Sequence, residues 1–374
     1  MKRNIKYCLG LIFISVLLSQ NICGAVDSFY VVGEYGYLQK YNSKLILINE
    51  VKLPSLVRTY TVNDADISPT GDKLYLAIVS QGKKPLIVLN TADFAINENP
   101  PILFPPNPCD LPIYSAHSIT CATKRYLYLD MFCSLSADKP YTYLLIDLQT
   151  GATKTIATKF PVNKSNLSIS PHGDKMVSIK NGVIFFINTE SGEVIDSIDA
   201  YFKGKEGIKR RVISFNANWS EETININSLI DKNEKYVVEK LSIGFKNRKE
   251  KSREEIKFSG EKIQADDLLS ESVKVSSSQQ KISIADKKNK PLFFNPGSGC
   301  LLERLSKGTF ENECAETYLS PNKKYLFCKT NNTKKISEDY EKDFSELYIL
   351  DMKTKEVLKK IEYPETIISV LFDK

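Results

Sequence analysis

The chain has 374 residues, 51 lysines and arginines against 45 acidic residues, a formal charge of +6 and 42% hydrophobic residues. That composition supports a folded core and gives no single-sign field of the kind nucleic-acid binding needs. It excludes neither a binding protein nor an enzyme.

Residues Met1 to Ala25 open with Lys2, Arg3 and Lys6, continue through the apolar run Cys8 to Leu18, and close on Cys23-Gly24-Ala25. That order reads as a secretory signal peptide, with an apolar core shorter than the roughly 20 residues a membrane span takes. Cleavage near Ala25 leaves 26–374 as a single domain with three positive charges fewer. No second long apolar run follows, so the expectation is a monomer in a secreted or periplasmic location, with no transmembrane segment after cleavage. A lipid anchor is not expected, because Cys23 follows Gln20-Asn21-Ile22 rather than small residues.

Beyond the signal, Phe29-Tyr30-Val31-Val32 predicts a strand, and Tyr35, Tyr37 and Tyr41 form an aromatic cluster open to two readings, a recognition surface or sheet packing. Leu45-Ile46-Leu47-Ile48-Asn49 is the first of six continuous apolar runs that end in Asn or Asp. The others are Leu86 to Asn90, Leu144 to Asp147, Ile184 to Asn188, Leu292 to Asn295 and Leu347 to Asp351. Runs of this length between Gly, Pro, Asn and Asp clusters are strands, and their continuity predicts burial on both faces.

Asp64 and Asp66 flank Ala65 in an alternating segment that aims both carboxylates to one side. They are candidate metal ligands for Ca²⁺ or an acid/base pair, against the plainer reading of a solvated strand end. The turn phrase Ser68-Pro69-Thr70-Gly71-Asp72-Lys73 follows. It returns as Ser170-Pro171-His172-Gly173-Asp174-Lys175 and, altered, as Ser320-Pro321-Asn322-Lys323-Lys324. Proline presets φ for the second turn position and glycine supplies the positive φ that the reversal needs. The serines stand 102 and 150 residues apart, which divides into steps of about 50 and predicts an array of repeated units.

The histidines are His117, in a predicted inner strand, and His172, in a turn, and neither has neighbours suggesting a site. No nucleophile elbow, zinc helix or P-loop is present, and Pro296-Gly297-Ser298-Gly299 reads as a reversal. The stretch Asp231 to Asp267 is charge-rich, and from Lys246 to Lys262 glutamates interleave with the basic residues. The longer stretch predicts a longer outer strand, a short helix or a disordered loop, and the interleaved segment a solvated edge or loop. Sequons start at Asn163, Asn166, Asn218 and Asn331, and matter only where the source glycosylates exported chains.

Six cysteines remain after cleavage, an even number that points to disulfides in an exported chain. Reflection across the turn at Ser320 pairs Cys314 with Cys328, and reflection near Ala122 pairs Cys109 with Cys133. That leaves Cys121 and Cys300. The near-neighbour pairing, Cys109 with Cys121 and Cys300 with Cys314, stays open. No close C-x-x-C pair suggests zinc.

The final segment, Thr366 to Phe372, is a first strand without followers, while Phe29 to Asn49 supplies strands without a first. Together they make one unit that seals a ring. The expected fold is therefore all-β, a seven-bladed β-propeller of four-stranded antiparallel blades closed by pairing of the N- and C-terminal strands. The Ser-Pro-x-Gly turns, Leu74-Tyr75-Leu76 strand and Asp147-Leu148-Gln149-Thr150-Gly151 turn resemble the YVTN and WD40-like β-propeller repeats. Thr70 and His172 stand where that family usually has Asp, and Lys323 where it has Gly. The resemblance implies a binding role at a cell envelope or surface, and it brings no catalytic signature and no cofactor.

Two functions remain: a binding scaffold for a protein or an envelope polymer, or a propeller enzyme. The enzyme would be a lactonase-like hydrolase or quinoprotein-type dehydrogenase with its site at the central channel. Such a site would be assembled from several blades and would leave no local motif.

Overall fold

The computed structural model describes residues 28–53, 60–80, 84–97, 99–106, 114–121, 123–131, 141–158, 167–180, 183–199, 210–232, 235–246, 249–257, 274–275, 282–285, 291–294, 301–304, 316–322, 324–337, 340–354 and 356–373. Every regular element among them is a β-strand. The expected signal segment lies outside them. No helix among the described residues is long and apolar enough to cross a membrane.

The chain opens with β1 (Ser28–Gly33), β2 (Tyr37–Asn42) and β3 (Leu47–Lys52) in antiparallel order. It continues with β4 (Tyr60–Ile67), β5 (Lys73–Ser80) and β6 (Leu86–Asn90), then β7 (Tyr114–Cys121), β8 (Tyr126–Met131), β9 (Tyr141–Asp147) and β10 (Thr153–Thr158). Four-stranded meanders follow: β11 (Leu167–Ile169) to β14 (Val194–Asp199) through β12 (Lys175–Lys180) and β13 (Val183–Asn188), then β15 (Arg210–Asn218), β16 (Thr223–Lys232), β17 (Lys235–Gly244) and β18 (Glu250–Lys257). The last are β19 (Lys274–Val275), β20 (Ile282–Ala285), β21 (Pro291–Phe294) and β22 (Leu301–Arg304), and β23 (Glu316–Leu319), β24 (Tyr325–Ser337), β25 (Tyr340–Asp351) and β26 (Val357–Tyr363). The final strand, β27 (Ile367–Phe372), pairs with β1, so the two ends of the described chain share the sheet β27-β1-β2-β3.

This is a propeller-like, all-β succession of antiparallel sheets. Apolar layers fill the space between sheets that are neighbours in sequence. Leu38, Val62, Leu74, Leu76 and Leu89 join the first sheet to β4–β6, and Tyr128, Tyr143, Leu167, Met176 and Ile187 join β8–β9 to β11–β13. Strands covered on both faces are the physical counterpart of the continuous apolar runs. First strands of adjacent sheets lie side by side: β27 against β4, β4 against β7, and β11 against β15.

The Ser-Pro-x-Gly turn is built as its residues demand. Gly71 and Gly173 sit at φ of 74° and 71°. Ser68 Oγ donates to Asp72 at 2.7 Å and accepts the Lys73 N–H at 3.0 Å, and Ser170 does the same with Asp174 and Lys175 at 2.6 and 3.1 Å. At the altered copy Asn322 replaces the aspartate as acceptor of Ser320 Oγ, at 2.7 Å. A second tie recurs. In five units the first residue after the third strand donates its N–H to the carbonyl just before the second strand: Thr91 to Asp72, Leu148 to Arg125, Thr189 to Asp174, Phe245 to Glu222 and Met352 to Lys324.

Two expectations are corrected. Leu45 to Asn49 is not a buried third strand. β2 fills that role, Leu45 is in a turn at φ 62°, and Ile46 to Ile48 run exposed into the outermost strand. Nor is every unit four strands of its own. β4–β6 carries only a one-residue bridge, Leu89 with Ile96, where a fourth strand would lie, and β5 pairs with β7 to merge two units into a seven-stranded sheet. The following Pro100 and Pro101 lack the N–H groups a strand must donate.

Candidate functional site

In an antiparallel meander, the second-to-third turns and the connections into each first strand emerge on one face. The best-defined polar cluster is there, where the chain ends meet. Glu365, in the turn between β26 and β27, is 5% exposed. Its Oε1 accepts the N–H groups of Tyr35 at 3.0 Å and Tyr37 at 2.9 Å, and its Oε2 takes the Lys52 ammonium. Glu34 N–H donates to the Thr366 carbonyl at 2.9 Å. A Cβ on Gly33 would collide with Glu365 and Tyr363, so this close approach requires glycine.

Pinned from below, the β1–β2 turn holds Tyr35 outward, 44% exposed, with Lys52 Nζ 6.0 Å from its ring centroid. Beside it the Glu34 carboxyl has its pKa raised. Burial is the main cause, the Glu365 and Asp343 charges add, and Thr366 and Lys329 oppose. An exposed ring, an ammonium and a carboxyl that protonates more readily than usual make a compact recognition surface.

A second polar position lies at the end of β8 on the same face. Asp130 stands opposite Ser118 on β7 and Tyr143 on β9, two residues beyond Tyr128. Burial pushes the Asp130 carboxyl up to about 7, and among the described residues it forms no hydrogen bond or ion pair. The Tyr128 ring stacks on Tyr143 with centroids 5.0 Å apart, and among the described residues its buried hydroxyl has no hydrogen-bond partner. A carboxyl titrating near neutrality next to a phenol is chemically able to exchange a proton.

Of the residues singled out from sequence, Asp64 and Asp66 do not face solvent at a strand end. Asp64 is half-buried, accepting the N–H of Ala65 at 2.9 Å and, across to β7, that of Ile119 at 3.0 Å. Asp66 is buried and accepts the Ile67 N–H at 2.9 Å. Asn63, the bulged residue between them and Val62, donates to the Ala116 carbonyl at 2.8 Å. Asp64 thereby ties β4 to β7, and among the described residues no group of three or more His, Cys, Asp or Glu that could hold a metal ion gathers.

Tyr37 and Tyr41 turn to packing. Tyr41 stacks on Phe29 at 4.8 Å, and Tyr37 lies 5.3 Å from Tyr363. His172 is exposed in its turn, and His117 is the bulged residue of β7. Cys328 is buried and disulfide-bonded, and Thr317 stands opposite it in the ladder. Cys109, Cys133, Cys300 and Cys314 lie outside the described residues, as do Asn163, Asn166 and the Pro296 to Gly299 segment. Asn218 accepts from Ser220 in a turn and Asn331 is exposed on β24. In the charge-rich stretch, Arg253 on the outer strand β18 pairs with Glu239 and Glu250 at 2.7 and 2.9 Å.

Sequence reasoning missed Glu34, Glu365 and Asp130. For Asp130 a signal existed: a lone acid inside Tyr126-Leu127-Tyr128-Leu129-Asp130-Met131, a strand covered on both faces. Glu365 carries none, since its role depends on a turn more than 300 residues away in sequence.

No family model matches the chain, and no curated protein matches it by sequence. Among solved structures it is similar to a eukaryotic initiation factor, at 11% identity over 92% of this chain and 97% of that one, TM-score 0.43. It is also similar to a candidate 6-phosphogluconolactonase from Bacteroides uniformis, at 12% identity over 92% and 99%, TM-score 0.48. At that level of likeness neither speaks to activity.

Proposed function

We propose that the protein is an exported, seven-bladed β-propeller of the YVTN and WD40-like kind that binds a protein or an envelope polymer. The pairing of β27 with β1 supports a closed ring. Its seven blades are β27 with β1–β3, β4–β6, and the five meanders from β7 to β26. The observation that carries the binding reading is Tyr35, an exposed ring on a turn fixed by two N–H bonds to a buried carboxylate. A preorganised aromatic loses little freedom on binding. In this reading Cys328 bonds to Cys314, as an oxidising compartment allows; peptide mapping without reduction tests the pair.

The test is capture of partners from envelope and culture-supernatant extracts by the wild-type protein and by Tyr35→Ala. A saturable partner that the variant holds about tenfold more weakly, about 1.4 kcal/mol, supports the reading. Equal capture by both removes Tyr35 from it.

The largely buried Asp130 carboxyl beside Tyr128 favours the second reading, an enzyme that is lactonase-like or a quinoprotein-type dehydrogenase. There the carboxyl would be the proton-transfer group. Lactone hydrolysis with a pH inflection near 7 that is lost in Asp130→Asn would support it, and a lactone and alcohol panel without turnover would count against it.

A further inference from the structure

The outermost strands share an irregularity that the proposed binding face does not use. In five sheets the ladder between third and fourth strands shifts just beyond the connecting turn, and in three of them exposed aliphatic residues mark the shift. Tyr41 pairs with Leu47 but Lys40 with Asn49, Ile187 with Val194 but Phe186 with Asp196, and Leu350 with Val357 but Ile349 with Lys359. The extra residues are Ile48, Ile195 and Leu358, exposed by 54%, 55% and 47%, and each follows another exposed aliphatic residue. A β-bulge re-aims side chains and interrupts pairing. A single exposed leucine needs no explanation, but an aliphatic pair at the same position of three repeat units does.

The turns beside these pairs differ in charge. Exposed Lys44 precedes the Ile48 bulge and exposed Lys353 the Leu358 bulge, and Lys359 Nζ donates to the Leu45 carbonyl, bringing these two bulges into one patch. Glu356 is exposed there, as are Glu50 on β3 and Glu362 on β26, against Lys52 and Lys360 exposed on the same strands, which leaves the patch net basic. Beside the Ile195 bulge the turn is acidic, with Glu190 and Glu193 both exposed. Both kinds of patch are apolar at the centre and charged at the margin, with opposite sign.

We propose that the acidic bulge on β14 of one copy of this chain docks on the basic patch of β3 and β26 of a second copy. Two different surfaces meet, so the contact is heterologous, and each added copy presents a free patch for the next. Because the bulges interrupt the ladder at the sheet edge, side chains rather than strand-to-strand hydrogen bonds make the contact. This replaces the monomer expected from sequence.

Sedimentation velocity on the purified protein tests it, with Ile195→Asp as one variant and Leu358→Asp as the other. The exposed positions leave the fold intact, which circular dichroism verifies. The wild type is expected to grow past dimer with concentration and to dissociate in about 1 M salt, where the screening length falls to about 3 Å. Each variant alone is expected to stay monomeric, while an equimolar mixture forms a dimer and stops there, since one intact patch of each kind remains. A wild type that is monomeric up to its solubility limit, or a mixture that does not dimerise, overturns the proposal.

Discussion

Gly71 and Gly173 hold the same place in the same turn with nearly the same φ, yet their surroundings separate them. A Cβ at Gly71 would meet only Asp373 Oδ1 at 3.6 Å, whereas one at Gly173 would press on the Tyr126 ring at 2.8 Å. Gly71→Ala is expected to cost about 1 kcal/mol, the price of a left-handed residue with a side chain. Gly173→Ala is expected to cost about 2 to 3 kcal/mol, because an aromatic ring must also move. Urea denaturation measures both, and equal losses would remove the ring from the account. Asp130 offers a pH test. Its folded pKa, about 7, lies above that of an unfolded aspartate, so it costs nothing below about pH 4 and destabilises progressively as pH rises toward 7. Asp130→Asn should therefore gain stability above pH 7, by roughly 4 kcal/mol at most, and match the wild type at pH 4. An equal difference at both pH values would mean that ionisation is not the cause.

At the level of elements, the sequence was legible where one residue type has one physical solution. Proline and glycine marked the Ser68 and Ser170 turns, and apolar runs marked the third strands β6, β9, β13, β21 and β25. It misled where a local pattern has two solutions. Leu45 to Asn49 carries the same signature as a buried strand, but its aliphatic residues serve a turn and a bulge at the outer edge. Tyr35, Tyr37 and Tyr41 alternate as either a binding face or a packing face would, and the structure divides them, Tyr35 outward and Tyr41 against Phe29. Residue 64 illustrates the remaining limit. A carboxylate that accepts an amide from β7 has the same sequence signature as one that holds a metal.

At the scale of the whole molecule, the two ends are joined by more than the β27–β1 ladder. Tyr363 Oη donates to the Val31 carbonyl at 3.2 Å, and Phe29 packs on Phe327 and Phe372. Glu365 is the polar centre of that junction. Glu365→Ala leaves the Tyr35 and Tyr37 amides and the Lys52 ammonium without their acceptor, a loss of about 2 to 4 kcal/mol. Glu365→Gln retains an acceptor oxygen without the charge and is expected to lose less. If the junction is a separable clasp, hydrogen exchange should show amides of β1 and β27 opening at lower free energy in Glu365→Ala, with β15 to β18 unchanged. Uniform loss across all sheets would instead mean that the clasp and the stacked sheets unfold as one cooperative unit. The first outcome makes the position of Tyr35 adjustable without unfolding, and the second makes the recognition turn as rigid as the core it rests on.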